Sequence, residues 1–190
     1  MPEPDRARLI SVVGGESTGK STLATALGDR LPATVVPEFL RSWVDRHRRV
    51  PLAAEQVTVM SAHRESEVSA LLRASRTPPS WVVSDSGPLM TAVYSIQYYG
   101  DTSLLPTALE WTAQSHRVVW CQDDFPWQPE PQRDGLHARS RSQQILATIF
   151  ADNPGLPMLA VRGSLADRVE TVLEHVGSAA SRTGGAFEHG

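Results

Sequence analysis

Five short apolar runs rich in β-branched residues punctuate the chain: Leu9 to Val13, Thr34 to Val36, Trp81 to Val83, Arg117 to Trp120 and Pro157 to Val161. Each is nearly continuous in apolar character, as a strand covered on both faces requires. Between them the spacing turns helical. One helix is predicted to start within Gly19-Lys20-Ser21 and to turn Leu23, Ala24, Leu27 and Leu31 inward. A longer one follows Pro51, a residue tolerated in a first helical turn, with Ala53, Val57, Met60, Val68 and Leu71 on its inner face. Ser164 is placed to cap the last helix, with Asp167 three residues on in a weaker relative of the capping box, and Gly177 is placed to close it. Repeated β-α-β alternation with buried strands predicts an α/β fold: a doubly wound parallel five-stranded sheet with right-handed crossovers.

The 190 residues suit one domain, and 41% hydrophobic residues suffice for a core without disulfide or metal staples. The domain is expected over residues 1–177, with the small residues and glycines of 178–190 forming an unstructured tail. A net charge of −3 argues against a nucleic-acid partner, and Arg46-His47-Arg48-Arg49 is short enough to be a solvated helix end. The single cysteine, Cys121, follows an apolar run and reads as a buried structural thiol. The N-terminus has neither a basic start nor an apolar stretch, and no run is long enough to span a bilayer. A cytoplasmic protein with no membrane partner is therefore expected.

Chemistry enters at Gly14-Gly15-Glu16-Ser17-Thr18-Gly19-Lys20-Ser21, followed by Thr22. The segment matches G-x-x-x-x-G-K-[ST] in full and sits where that motif must sit, after a strand and opening a helix. Its glycines let the backbone wrap so that N–H groups point at phosphate oxygens, and the positive end of the helix adds to that field. Lys20 can reach the β- and γ-phosphates of ATP, and the Ser21 hydroxyl can bind Mg²⁺. Asp85 ends the third apolar run and supplies the second acidic position such a metal needs; the plainer alternative is a turn cap. No N-K-x-D tetrad for guanine exists, since the one asparagine, Asn153, precedes Pro154. At this length the helical lid domain of a ring-forming ATPase is not expected.

The phosphate loop alone does not name an acceptor. Val12-Val13-Gly14-Gly15-Glu16-Ser17-Thr18-Gly19-Lys20-Ser21 resembles the G-G-E-S-[ST]-G-K-S loop of the ribosylnicotinamide kinase domain of bifunctional NAD-biosynthesis regulators. Further matches follow in order. Glu38-Phe39-Leu40-Arg41 resembles that family's E-Y-x-R, and Asp85-Ser86 through Thr91 to Ile96-Gln97-Tyr98-Tyr99-Gly100 resembles its D-T-D…T…I-Q-Y-x-G. Pro126-Trp127…Asp134-Gly135-Leu136 resembles P-W-x-x-D-G-L-R, and Val161-Arg162-Gly163-Ser164…Arg168 resembles the last strand and helix, so the likeness spans roughly residues 9 to 176. It departs at Gly87, where the family has a second acidic residue, at Pro37, where some members stack an aromatic on nicotinamide, and at His137, where the family has arginine. The resemblance implies a P-loop NTPase of the small-kinase type, strand order 2-3-1-4-5. It also implies ATP and Mg²⁺ as cofactors and a nucleoside-like small molecule as acceptor, ribosylnicotinamide leading.

Glu38 follows the second strand, beside the phosphate-loop strand, where doubly wound sheets bind ligands. Its carboxylate can take the proton of an attacking hydroxyl or hold the sugar, unless it is a surface glutamate. Arg41 would share a helix face with Glu38 and orient it or touch phosphate. Tyr98, Tyr99 and Trp127 are candidates to stack on a base, whereas Trp43, Trp81, Trp111 and Trp120 read as packing residues. Asp124 to Arg141 reads as a lid over the phosphates carrying Arg133, Arg139 and Arg141. His63, His116 and His175 show no partner spacing and receive no role. The alternatives to the nucleoside kinase are a kinase of another small metabolite and a non-catalytic ATP-sensing module or slow ATPase.

Overall fold

The apolar runs become five parallel strands: β1 (Arg8–Val13), β2 (Ala33–Val36), β3 (Trp81–Asp85), β4 (Arg117–Cys121) and β5 (Met158–Val161). They form a single sheet in the order β2-β3-β1-β4-β5, the order the resemblance implies. The computed structural model describes residues 7–76, 81–124 and 136–182. Helices α1 (Lys20–Arg30), α2 (Phe39–His47), α3 (Gln56–Ala74), α4 (Pro88–Tyr99), α5 (Leu105–Ala113), α6 (Leu136–Asp152) and α7 (Leu165–Arg182) connect and flank the strands. Both faces of the three central strands are covered, whereas the edge strands β2 and β5 are buried only at Val36 and Val161.

Alternation along β1 shows how the two cores are built. Ile10 and Val12 face α1 and α7, joining Leu23, Leu27, Val83, Val119, Val161 and Val172. Leu9 and Val13 face the opposite side, the first among Val36, Ala70 and Val82 and the second among Met60, Leu89, Met90, Leu146 and Phe150. Ser11 shares the second face and is buried beside its partner across the ladder, Ser84. A buried hydroxyl in a sheet interior needs a partner, and for Ser84 the helix facing it supplies one in His63.

That helix is α3, and its inner face departs from the sequence reading. A 3-10 turn over Ala53–Glu55 precedes it. Gln56, Val59, Met60, His63, Glu67 and Ala70 are buried, whereas Ala53, Val57 and Val68 are exposed. The buried set keeps helical spacing but includes three polar residues, so a count of apolar positions selects the wrong stripe.

The last helix also differs. Ser164 and Asp167 do form the expected reciprocal cap: the Ser164 N–H donates to Asp167 Oδ2 (2.9 Å) and the Asp167 N–H to Ser164 Oγ (3.2 Å). α7 does not stop at Gly177, however, but continues to Arg182. A mid-helix glycine costs only about 1 kcal/mol against alanine, and here it faces open space with good helix formers after it. Residues 183–190 of the expected tail lie outside the described residues.

Candidate active site

The carboxyl ends of β2, β3 and β1 lie side by side along one edge of the sheet. Val36 pairs with Ser84 and Val12 with Asp85, so the segments beginning at Pro37, Asp85 and Gly14 leave the sheet together. This edge gathers Glu38, Asp85 and the phosphate loop, which are separated by dozens of residues in the chain.

The loop has the backbone its motif requires. Gly14 and Gly19 adopt positive φ (152° and 81°), as does Ser17 (55°). Gly19 is the left-handed N-cap of α1, with no side-chain cap, which leaves the first N–H groups of that helix directed into the loop. The Thr18 hydroxyl and the Lys20 ammonium both donate to the Gly15 carbonyl at 2.8 Å, and Lys20 is buried. Lys20 is also the only lysine of the chain. Glu16 and Ser17 are half-buried, Ser21 is half-buried at the helix start, and Thr22 is exposed.

Two side chains far along the sequence hold this loop: Gln143, which no motif marks, and Arg168, which the resemblance names without giving it a role. Gln143 of α6 accepts the Gly15 N–H (3.2 Å) and the Trp120 indole N–H (2.8 Å) on Oε1, while its amide donates to the Cys121 carbonyl (2.9 Å). Arg168 of α7, 1% exposed, donates to the carbonyls of Thr18 (2.8 Å), Gln122 (3.2 Å) and Gly163 (3.1 Å). It also pairs with Asp124, whose other oxygen accepts the Gly163 N–H. Partial burial pushes the Asp124 carboxyl up, but the Gly163 N–H and the Arg168 charge hold it below its usual range. Burial pushes the Cys121 thiol up to about 11, against the opposing pull of Lys20 and Arg168, so it stays protonated and structural.

Asp85 is buried, and its Oδ1 accepts the Ser86 hydroxyl at 3.3 Å. Among the described residues no group of three or more His, Cys, Asp or Glu side chains is arranged to hold a metal by itself. A phosphate-loop metal asks for less, since nucleotide and water oxygens complete its shell. Ser21 and Asp85 offer that hydroxyl-and-carboxylate donor set, so the residues fit Mg²⁺. The next acidic position of the resembled motif, Gly87, has no room for a side chain. A Cβ there would stand 2.7 Å from Ser11 Oγ and 3.1 Å from Glu67 Oε1.

Glu38 is the residue before α2, with its side chain 16% exposed, and Arg41 pairs with it at 3.6 Å as the helical spacing predicts. Tyr94 lies buried on α4, and its ionisation is opposed by burial first and then by Glu38, Glu16, Tyr98 and Asp85. The charge of those carboxylates is thus felt at one buried aromatic residue that has no place in the sequence motifs. Tyr98 is half-exposed, 6.3 Å from the Tyr94 ring, and the Tyr99 hydroxyl donates to the Pro51 carbonyl (2.6 Å). Trp81, Trp111 and Trp120 pack against the cores, while Trp43 stacks on His47 at 3.9 Å.

Of the lid, Trp127 and Arg133 lie outside the described residues. Arg139 and Arg141 belong to the first turns of α6 rather than to a loop. Arg139 is buried with its carbonyl against Gly15, where a Cβ would meet it at 2.7 Å; Arg141 is exposed. No helix among the described residues is long and apolar enough to cross a membrane.

Sheet order and phosphate loop together define a P-loop α/β protein with the build of small nucleoside and nucleotide kinases. The chain belongs to the AAA domain family AAA_28, whose model matches residues 9–168. Among solved structures it is similar to NadR protein in complex with NR, at 18% identity and a TM-score of 0.68 over 90% of this chain and 52% of that one. A complex of NadR with NAD and AMP-PNP gives 18% identity and a TM-score of 0.71, covering 90% of this chain and 50% of that one. The chain thus spans about half the length of the NadR chains. Deoxyadenosine kinase from M. mycoides, with dCMP and dCDP bound, matches at 12% identity and a TM-score of 0.61, over 90% of this chain and 99% of that one. Thymidylate kinase from Ehrlichia chaffeensis matches at 16% and 0.61, over 91% and 98%. No curated protein matches in sequence. At these identities the structural likeness carries the fold alone.

Proposed function

We propose that the chain is an ATP-dependent small-molecule kinase that transfers the γ-phosphoryl group to a nucleoside hydroxyl, with ribosylnicotinamide the leading acceptor. The observation that carries this reading is the alignment of Glu38, Asp85 and the phosphate loop along one sheet edge. The acceptor class draws support from the NadR complex with NR and from the deoxyadenosine kinase, together with the ordered motif matches described above. The charge of the site is consistent with this. Glu16, Glu38 and Asp85 all bear negative charge along this edge and, after burial, oppose ionisation of Tyr94, a setting that favours a neutral or cationic acceptor over a nucleoside monophosphate.

In this reading the loop N–H groups and Lys20 take the β- and γ-phosphates. Lys20 exchanges its bond to the Gly15 carbonyl for phosphate oxygens, which costs little because one acceptor replaces another. Ser21 and Asp85 would hold Mg²⁺, which would supply positive charge against the phosphates. Glu38 accepts the proton of the acceptor hydroxyl as that oxygen bonds to the γ-phosphorus and the bond to the ADP oxygen breaks, with the proton then passing to solvent. Arg41 orients the carboxylate.

The test is Glu38→Gln, assayed by ADP release with Mg-ATP and a panel of ribosylnicotinamide, other nucleosides and nucleoside monophosphates. Glutamine keeps the reach of the side chain and cannot take a proton. Acceptor-dependent turnover should fall by about 10²–10⁴-fold, with ATP affinity and slow hydrolysis preserved. If no panel member stimulates wild-type ADP release, the chain is an ATPase or an ATP sensor. Turnover of monophosphates alone would move it to the nucleotide kinases.

A further inference from the structure

Ladder pairing between β2 and β3 ends at Val36 and Ser84, one residue before Asp85 and two before Glu38. Beyond that pair the sheet no longer sets the separation of the two acidic residues. Packing anchors α2 only lightly, since none of its residues is fully buried and Leu40 alone joins the second core. The next link is a side chain from a third element. His63 of α3 accepts the Phe39 N–H on Nδ1 (3.3 Å), and its Nε2 lies 2.8 Å from Ser84 Oγ. Phe39 directly follows Glu38, and Ser84 directly precedes Asp85.

We infer that His63 is a positioning residue for phosphoryl transfer, a neutral tie between the Phe39 backbone and Ser84 that sets Glu38 against Asp85. The inference rests on the roles given to those two carboxylates above. The tautomer follows from the partners. A backbone N–H can only donate, so Nδ1 carries the lone pair, the ring proton sits on Nε2, and Nε2–H donates to Ser84. Ser84 keeps its own proton for Glu67, whose Oε2 accepts Arg64 Nη1 at 3.1 Å. His63 Nε2 and Glu67 Oε1 are 3.7 Å apart, beyond a hydrogen bond, so the ring has one acceptor to serve. The Phe39 N–H is one of the orphan donors of a helix start, and Glu38 offers it no side-chain cap. Ser84 is fully buried and His63 and Glu67 nearly so, at 2% and 1% exposure. An apolar residue would fill this interior at less desolvation cost, and would fix neither segment.

Two variants test the tie. His63→Leu removes both bonds, and His63→Asn restores an acceptor near Nδ1 for the Phe39 N–H. Phe39 amide exchange should accelerate in His63→Leu and return toward wild type in His63→Asn. With Mg-ATP and ribosylnicotinamide, kcat should drop about 10- to 100-fold in the leucine variant, as misplacement of a reacting group predicts. Affinity for a fluorescent ATP analogue should stay within about twofold, and His63→Asn should recover most of kcat. Added to Glu38→Gln, His63→Leu should cost little more, because both act through one carboxylate. Unchanged kcat in folded His63→Leu, fully additive losses, or an asparagine variant as impaired as leucine would each overturn the inference. Should the leucine variant fail to fold, Ser84→Ala cuts the other end of the same tie and is judged by the same measurements. Absence of turnover with every nucleoside would sink the kinase reading, while the Phe39 exchange rates would still decide whether His63 holds the start of α2.

Discussion

The Arg168 guanidinium donates to the Thr18 carbonyl at 2.8 Å, although 150 residues separate the two. The same guanidinium reaches Gln122, Gly163 and Asp124, so a single buried side chain of α7 joins the phosphate loop to the two segments leaving β4 and β5.

Replacing Arg168 with Met should therefore affect stability and nucleotide binding together. Three backbone carbonyls lose a donor, and Asp124, 35% exposed, loses its charge partner. A loss of about 2–3 kcal/mol is expected, discounted for the exposure of Asp124. For a chain of this size that is a fall of roughly 4–12 °C in Tm. ATP titration of the folded fraction should show weaker binding. A variant that melts at the wild-type temperature would show that Arg168 does not hold the loop.

Lys20→Ala should leave the fold intact, because among the described residues the ammonium bonds its own loop, at the Gly15 carbonyl. Phosphoryl transfer should fall by about 10²–10³-fold, the usual cost of losing one donor at a site of developing charge. Lys20 is the only lysine, so an amine-directed acylating reagent can modify just this side chain and the terminal amine. ATP should protect Lys20 from labelling, and peptide mapping reads the result. Equal labelling with and without ATP would place the phosphates elsewhere.

Asp85→Asn should raise the Mg²⁺ concentration needed for half-maximal turnover far more than it raises the KM of the acceptor. The amide keeps the shape and the bond to Ser86 but lacks the charge a hard cation needs. A wild-type Mg²⁺ midpoint would leave Asp85 as a turn cap.

Stability should also depend on pH through His63. Burial holds its imidazole down to about 4, against 6.5 in the unfolded chain. Between those values the unfolded chain binds a proton that the folded chain refuses, so stability rises with pH. The contribution is complete above the unfolded value and is lost as pH falls toward the folded one, on the order of 3 kcal/mol in all. Glu67, packed beside it with Arg64, opposes this: burial raises its carboxyl, so its own contribution favours acid. Urea unfolding at several pH values between about 7 and 5 should show a steeper acid loss in wild type than in His63→Asn. Equal slopes would mean that His63 is not held neutral.

Pattern alone determined the architecture and the phosphate loop. Continuous β-branched runs are costly to leave in water, so they had to be covered strands, and helical spacing between them left a parallel sheet as the arrangement that buries the central runs and the carboxyl ends of the edge ones. The loop was equally legible, because its chemistry is local: glycines, a lysine and a hydroxyl in one contiguous segment bend one turn of backbone. Glu38 and Arg41 were legible for a similar reason, since Glu38 directly follows the second strand and Arg41 lies three residues on, in the first turn of α2. What the tertiary structure alone decided is which distant side chains support these residues. Gln143 reaches Gly15 across 128 positions and Arg168 reaches Thr18 across 150, and a bond between residues so far apart leaves no periodicity to read. The inner face of α3 was misread for a related reason. Hydrophobic spacing reports burial only where burial is apolar, and α3 buries Gln56, His63 and Glu67, of which His63 meets the buried Ser84 hydroxyl and Gln56 donates to the Pro51 carbonyl.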